Sequence, residues 1–133
     1  MSAQQSYKDI AIRYTAAWNA HDIAAIMAMH VDDTSYRRHG SARIFRGKEA
    51  VAEQFGKDFS GLPGLKFEPV SLHGSDDHFV AESIITATTP DGAPVTMELI
   101  DLITLRDGRV VSKDRYFVTS VPNSKFASLS STL

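Results

Sequence analysis

The sequence predicts an α+β domain in which helices pack on one face of a curved, mainly antiparallel sheet. Two observations support this class. Apolar residues recur at helical spacing through the first half of the chain, and the second half consists of β-rich stretches separated by turn sequences. Helices followed by a run of strands are typical of the α+β class. The chain has 133 residues, which fits one domain with a real core.

Three helices are predicted in the first half. The first has an apolar stripe at helical spacing: Tyr7, Ile10, Ala11, Tyr14, Ala17 and Trp18. Asp22 is a good N-cap for a second helix, which we expect to end at Asp32 and Asp33. Its buried face carries Ile23, Ile26, Met27 and His30. A third helix follows Gly47, with a stripe formed by Val51, Ala52, Phe55 and Phe59.

The strands are predicted in two groups. Two short strands, 34–36 and 43–46, separate the second helix from the third. Four long strands follow at 66–73, 78–89, 94–105 and 109–118, and turn sequences at 90–92 and 106–108 make them antiparallel neighbours. We assign residues 1–118 to the domain and expect residues 119–133, which are rich in Ser and Thr, to form a flexible tail.

Composition argues against several functional classes. The net charge is −2 and the basic residues are scattered, so we expect no nucleic-acid partner. No apolar run approaches the ~20 residues of a membrane span, and the N-terminus lacks the layout of a secretory signal. There is no cysteine, and the five histidines lack metal-ligand spacing. We therefore expect a cytoplasmic domain without a metal or another cofactor.

One residue does not fit its strand. In ELIDLITL, residues 98–105, alternation places Asp101 on the same face as Leu99 and Ile103. A buried carboxylate must be paired, hydrogen-bonded or protonated, because burying an isolated charge costs several kcal/mol or more. Asp101 is therefore either a structural carboxylate satisfied by Tyr14 or a nearby cation, or a functional group.

The order of several segments resembles the nuclear-transport-factor-2-like superfamily, in particular its SnoaL-like and ketosteroid isomerase-like branches. IRYTAAWNAHDIAAIMAMHVDD resembles the opening of that family, and FRGKEAVAEQF and LIDLITLRDGRVVSKDRYF continue the frame over residues 7–118. The resemblance implies a cone-shaped roll with three helices in the concavity of the sheet. It also implies an apolar pocket for a small ligand and a homodimer.

The resemblance further implies two catalytic residues. The oxyanion-binding tyrosine of ketosteroid isomerase matches Tyr14, and its protonated aspartic acid matches Asp101. A carboxyl group kept neutral by an apolar pocket can donate a hydrogen bond to a developing enolate; ketosteroid isomerase itself is the standard example of this tuning. The position of its general base matches Arg38, which cannot accept a proton. Simple ketosteroid isomerase activity is therefore not expected.

The same frame implies that the remaining pocket residues bind the substrate: Trp18, Arg38, Phe55, Phe59, Glu82, Leu99, Lys113, Arg115 and Phe117. Three cations among them favour a ligand with a carbonyl or anionic group. Glu82 and His39 are candidate bases. Two functions stay open: a cofactor-free isomerase, dehydratase, cyclase or hydrolase, and a non-catalytic binding or dimerisation module.

Overall fold

The computed structural model describes residues 6–118 and confirms the predicted α+β class. In chain order the elements are α1 (Tyr7–Asn19), α2 (Ile23–Ala28), β1 (His30–Arg38), β2 (Ile44–Arg46), α3 (Lys48–Gly61), β3 (Lys66–Ser75), β4 (His78–Thr88), β5 (Pro94–Arg106) and β6 (Arg109–Val118). The helices pack into the curve of one six-stranded sheet, so the expected cone-shaped fold is also confirmed.

The first helix begins where the sequence indicates and buries the predicted stripe. The Ser6 side chain caps it by accepting a hydrogen bond from the Asp9 amide. Its buried residues are Ile10, Ala11, Tyr14 and Trp18. This stripe places Tyr14 and Trp18 at the centre of the core.

The second helix is shorter than predicted. Asp22 caps it through the Ala25 amide at 3.0 Å, but it ends at Ala28, and His30 is the first residue of a nine-residue strand. The prediction of a helix up to Asp32 and Asp33 was wrong because β6 pairs with this segment. His30 lies opposite Val110 in a parallel ladder, and pairing with a neighbouring strand overrides local helix propensity.

The sheet order is β2-β1-β6-β5-β4-β3, and every neighbouring pair is antiparallel except β1 and β6. The β5–β6 hairpin is closed by Asp107 and Gly108, whose φ angles are 53° and 76°. Two consecutive positive φ angles are the geometry of a type I′ turn, and Asp-Gly is a favoured sequence for it. This turn fixes the register at the start of the ladder.

A β-bulge then changes that register by one residue. Leu105 pairs with Val110, whereas Thr104 pairs with Ser112, which leaves Val111 as the extra residue. Val110 is fully buried, and so is Lys113, with 1% exposure. The bulge lets Val110 and Lys113 both point into the core.

The bulge also selects the partner of Asp101. With the shift, Asp101 lies opposite Arg115. Without it, the ladder would bring Asp114 opposite Asp101 and place two carboxylates together on the inner face. A single extra residue therefore converts a repulsive pair into an attractive one.

Three expectations stay predictions. Residues 119–133 lie outside the described residues, so the tail is untested. The expected homodimer is also untested; the outer face of the sheet carries exposed Ile100, Tyr116 and Val118, with 40%, 42% and 48% exposure. The cytoplasmic location is the third. No helix within residues 6–118 is long and apolar enough to cross a membrane.

Candidate functional site

Asp101 and Arg115 form a bidentate ion pair across β5 and β6. Arg115 Nε donates to Asp101 Oδ1 at 2.8 Å, and Nη2 donates to Oδ2 at 2.9 Å. Lys113 Nζ lies 3.4 Å from the same Oδ2. All three side chains are buried. One carboxylate therefore faces two cationic groups in the core.

This arrangement contradicts the prediction that Asp101 is protonated and neutral. Burial raises the pKa of a carboxyl group, but the Arg115 and Lys113 charges and hydrogen bonds outweigh burial here and hold the pKa of Asp101 below its ordinary value. Asp101 is ionised and accepts hydrogen bonds. The prediction of a protonated donor was wrong because the sequence frame did not place a guanidinium against it.

Lys113 extends into an aromatic environment. Its Nζ lies 4.7 Å from the ring centroid of Tyr14, 4.5 Å from that of Trp18 and 5.7 Å from that of Phe55. Burial lowers the pKa of Lys113 to about 7, although Asp101 acts in the opposite direction. The charged form of this amine is therefore less favoured than it would be in water.

A buried hydrogen-bond relay fixes the proton of Tyr14. The Thr34 hydroxyl donates to the Val111 carbonyl at 3.1 Å, so Thr34 Oγ1 accepts from His30 Nδ1 at 2.7 Å. His30 Nε2 is then unprotonated and accepts from the Tyr14 hydroxyl at 2.9 Å. Lys113 Nζ donates to Tyr14 Oη at 3.4 Å. The single proton of Tyr14 is directed at His30.

This relay changes the role expected for Tyr14. Burial is the main reason that the pKa of Tyr14 is raised, so the phenol stays neutral. Burial, with a smaller effect of the Lys113 charge, lowers the pKa of His30 to about 3, so Nε2 keeps its lone pair. In this arrangement Tyr14 has no proton left for a ligand oxyanion. Tyr14 and Asp101 are close together as predicted, but Lys113 lies between them as their shared donor.

The space beside this cluster is small. We call it the inner chamber; it is lined by Tyr14, Trp18, Ser83, Asp101 and Lys113, among others, and its volume is about 20 Å³. That volume is close to the minimum for one water molecule. A carbonyl ligand of steroid size has no room at the predicted catalytic pair.

A second space, the mouth cavity, has a volume of about 450 Å³. Its polar wall carries Arg38, Gln54, Lys57, Asp58 and Arg115. Its apolar wall includes Leu62, Leu65, Ile85, Met97 and Phe117. The volume falls in the range of about 300–1,000 Å³ that is typical of small-molecule sites.

Asp58 is a candidate functional residue that the sequence analysis missed. Its side chain is 7% exposed, Oδ2 accepts from the Tyr36 hydroxyl at 3.0 Å, and Oδ1 accepts from Gln54 Nε2 at 2.9 Å. Arg38 Nη1 lies 3.7 Å from Oδ1. The sequence did contain an indication of this position. Asp58 follows Val51 by seven residues and Phe55 by three, so it lies on the apolar face of α3.

The predicted site residues divide between the two cavities. Arg38, Arg115 and Phe117 line the mouth cavity, with the Arg38 guanidinium 5.1 Å from the Phe117 ring centroid. Tyr14, Trp18, Asp101 and Lys113 line the inner chamber. The other aromatic and aliphatic candidates pack in or against the core: Phe55, Phe59 and Leu99.

Glu82 lies away from both cavities. Ala81 pairs with inward-facing Asp101, so Glu82 is on the outer face beside Ile100, where it accepts from the Ser71 hydroxyl at 2.8 Å. Its expected pocket position was wrong because the strand register could not be read from alternation alone. His39, the other candidate base, also lies on the outer face, bonded to Asp114 at 2.9 Å and stacked on Tyr116.

The part of the chain that the structure describes contains no group of three His, Asp or Glu side chains that could hold a metal ion. The polar wall of the mouth cavity instead combines two guanidinium groups, one carboxylate, the Lys57 amine and the Gln54 amide. This combination suits binding of an anionic group and proton transfer by a carboxylate.

Comparison with known proteins agrees with this fold. The model of the SnoaL-like domain family matches residues 11–113, which is well over half of the chain. The chain belongs to the SnoaL-like domain family. No curated protein sequence matches this SnoaL-like domain.

Solved structures of similar fold share little sequence with it. A protein with a ketosteroid isomerase-like fold from Catenulispora acidiphila DSM 44928, in complex with trimethylamine, is 17% identical, with 84% of this chain and 87% of that chain covered and a TM-score of 0.76. The epoxide hydrolase/cyclase-like enzyme SalBIII, which acts in pyran ring formation in salinomycin, is 20% identical, with 84% and 90% covered and a TM-score of 0.75. An NTF2-like protein from Burkholderia pseudomallei K96243 is 16% identical, with 89% and 92% covered and a TM-score of 0.74. At these identities, the likeness establishes the fold alone.

The ionised state of Asp101 predicts a large effect of Asp101→Asn. This change leaves Arg115 buried without its counter-charge, and breaking a buried ion pair in this way costs about 3–5 kcal/mol of unfolding free energy. The measurement is urea denaturation of the wild type, D101N, R115M and the double variant. We expect the double variant to recover part of the loss. A loss below about 1 kcal/mol in D101N would indicate a protonated Asp101, because an amide replaces a neutral carboxyl group well.

The buried neutral His30 predicts acid sensitivity. Its pKa is about 3 in the folded state and 6.5 ordinarily, so the unfolded chain binds more protons between these values. Stability therefore falls as the pH drops from about 6.5, with a slope of at most about 1.4 kcal/mol per pH unit from this group. The control is His30→Gln, which keeps an acceptor for Tyr14 but does not titrate. Identical pH dependence of unfolding in the two proteins would contradict a neutral His30.

Proposed function

We propose that this SnoaL-like domain binds a small amphipathic anion in the mouth cavity. The observation that carries the proposal is the position of Arg38 and Arg115, which are paired neighbours on β1 and β6 and line the same cavity. Apolar side chains form the rest of the wall. A ligand with a carboxylate, phosphate or enolate group and a hydrocarbon body matches this division.

The two arginines offer different kinds of contact. Arg115 uses Nε and Nη2 for Asp101, so Nη1 lies outside that pair and is the nitrogen we assign to the ligand. The Arg38 side chain is 43% exposed, and its contact with Asp58 is long, at 3.7 Å. Arg38 can therefore turn towards a ligand anion without breaking a buried ion pair. Guanidinium groups suit planar anions because their N–H groups form a fork.

A second candidate function, cofactor-free acid/base catalysis, is favoured by Asp58. Its carboxylate is largely buried in the wall of the mouth cavity, and the Tyr36 and Gln54 hydrogen bonds fix its orientation. A carboxylate held in this way beside an apolar surface can act as a general base. An isomerisation, dehydration, cyclisation or hydrolysis would then use Asp58 to accept the proton and Arg38 to stabilise the oxyanion. SalBIII is described as an epoxide hydrolase/cyclase-like enzyme of similar fold, which is compatible with this class.

Binding is tested with a matched pair of fluorescent probes. We expect 1-anilinonaphthalene-8-sulfonate to bind at least about tenfold more tightly than neutral N-phenyl-1-naphthylamine, because one charged hydrogen bond is worth roughly 1.5–3 kcal/mol. Arg38→Gln should remove most of this difference and leave the neutral probe unaffected. Arg37→Gln is the control, since Arg37 is exposed and does not line the cavity. Equal affinities for the two probes, or equal effects of the two substitutions, would contradict an anion site.

Catalysis is tested by proton abstraction from 5-nitrobenzisoxazole. A base removes its ring C–H proton while the N–O bond breaks, which releases a coloured nitrophenolate and needs no cofactor. We expect the wild type to accelerate the reaction and Asp58→Asn to slow it by about a hundredfold or more, the usual contribution of a general base. Glu53→Gln is the matched control, because Glu53 is an exposed carboxylate on the same helix. Turnover that is absent, or unchanged in D58N, would favour the non-catalytic binding function.

A further inference from the structure

The inner chamber has the walls of a binding site, although a side chain of the protein fills it. Lys113 is 1% exposed, and its Nζ is surrounded by the rings of Tyr14, Trp18 and Phe55 at centroid distances of 4.5–5.7 Å. Aromatic rings placed in this way around a nitrogen are a recurring means of recognising amines and organic cations.

Two acceptor atoms of the chamber face Lys113 Nζ. Asp101 Oδ2 and Tyr14 Oη each lie 3.4 Å from Lys113 Nζ. Both act as acceptors towards Nζ, because Asp101 is ionised and the Tyr14 proton is directed at His30. A primary amine supplies at least two N–H donors whether or not it is protonated, whereas a hydroxyl group supplies only one. The chamber therefore discriminates between these two functional groups.

Trp18 adds an independent observation. Among the buried side-chain nitrogens and oxygens of residues 6–118, Trp18 Nε1 is the one without a hydrogen-bond partner. Trp18 is 2% exposed and lines the same chamber. A buried donor without a well-formed hydrogen bond is uncommon and needs a physical explanation, such as a site for a polar guest. Burial raises the pKa of Tyr14, whereas the Trp18 side chain acts to lower it, so this donor belongs to the same cluster.

We propose that the inner chamber is a recognition site for a primary amine, and that this chain occupies the site with its own Lys113. The site is distinct from the mouth cavity, since the two share no lining residue, and the proposal does not depend on the anion site. With the lysine in place, about 20 Å³ is left, which is close to the minimum for one water molecule.

The charge balance favours a folded protein when the lysine is shortened. Asp101 keeps its two hydrogen bonds from Arg115, so Lys113→Ala leaves a paired carboxylate and not an isolated one. The low pKa of Lys113, about 7, agrees with a chamber that holds an amine in either protonation state. Substitution therefore empties the chamber without removing its acceptors.

The experiment restores the missing atoms with a free amine. n-Propylamine has the atoms that Lys113→Ala removes, and 1-propanol is its neutral match with a single donor. The melting temperature and far-ultraviolet circular dichroism of K113A are followed as each compound is added at constant pH and ionic strength. We expect a saturable rise in melting temperature with n-propylamine and an apparent affinity at least about tenfold higher than that of 1-propanol, the effect of about 1.4 kcal/mol.

Two further proteins control for nonspecific effects. The wild type and Lys113→Met keep the chamber filled, so neither should respond specifically to n-propylamine. If K113A unfolds without a ligand, amine-dependent recovery of its helical signal is the equivalent supporting result. An equal response to 1-propanol, an equal response of K113M, or no amine-specific response of K113A, whether folded or not, would overturn the proposal.

Discussion

The buried ion pair between Asp101 and Arg115 determines the chemistry of the inner chamber and of the mouth cavity. Each charge would be very costly to bury alone, so each makes the other tolerable in the core. The pair keeps Asp101 ionised and directs Arg115 along the wall of the mouth cavity. Lys113, the second cation beside Asp101, lines the inner chamber, where a volume of about 20 Å³ is left.

Because of these contacts, the polar side chains expected to bind an oxyanion are hydrogen-bonded to one another. The relay from Val111 through Thr34 and His30 uses the Tyr14 proton, and Lys113 donates to the remaining lone pairs. In a low-dielectric core each such hydrogen bond is strengthened, and each unpaired group would be costly. The polar groups that we propose for ligand binding are therefore those of the mouth cavity, where the Arg38 side chain is exposed and makes only a long contact with Asp58.

Much of the architecture was predictable because it depends on local periodicity. The stripe of α1, the Asp22 cap and the Asp-Gly turn after β5 are each specified by a few neighbouring residues. The errors arose where pairing with a segment distant in sequence decides the secondary structure or the orientation of a residue. His30 follows a helix but belongs to β1, which pairs with β6. The face of the sheet on which Glu82 lies is set by the pairing of β4 with β5, which alternation within β4 does not reveal. Asp58 was accessible to the same reasoning as Asp101, since both are carboxylates at apolar positions of a periodic element.

The sequence by itself determined the fold class, the three helices, the long antiparallel strands and the set of side chains that meet in the core, because hydrophobic periods and turn residues act over short ranges. Tertiary structure alone decided what those side chains do. The bulge at Val111 places Arg115, and not Asp114, opposite Asp101, and one residue of register reverses both the face and the sign of the partner charge. The charge of Arg115 keeps Asp101 ionised. The protonation state of Asp101 therefore depends on a contact between two strands, which no single segment of the sequence encodes.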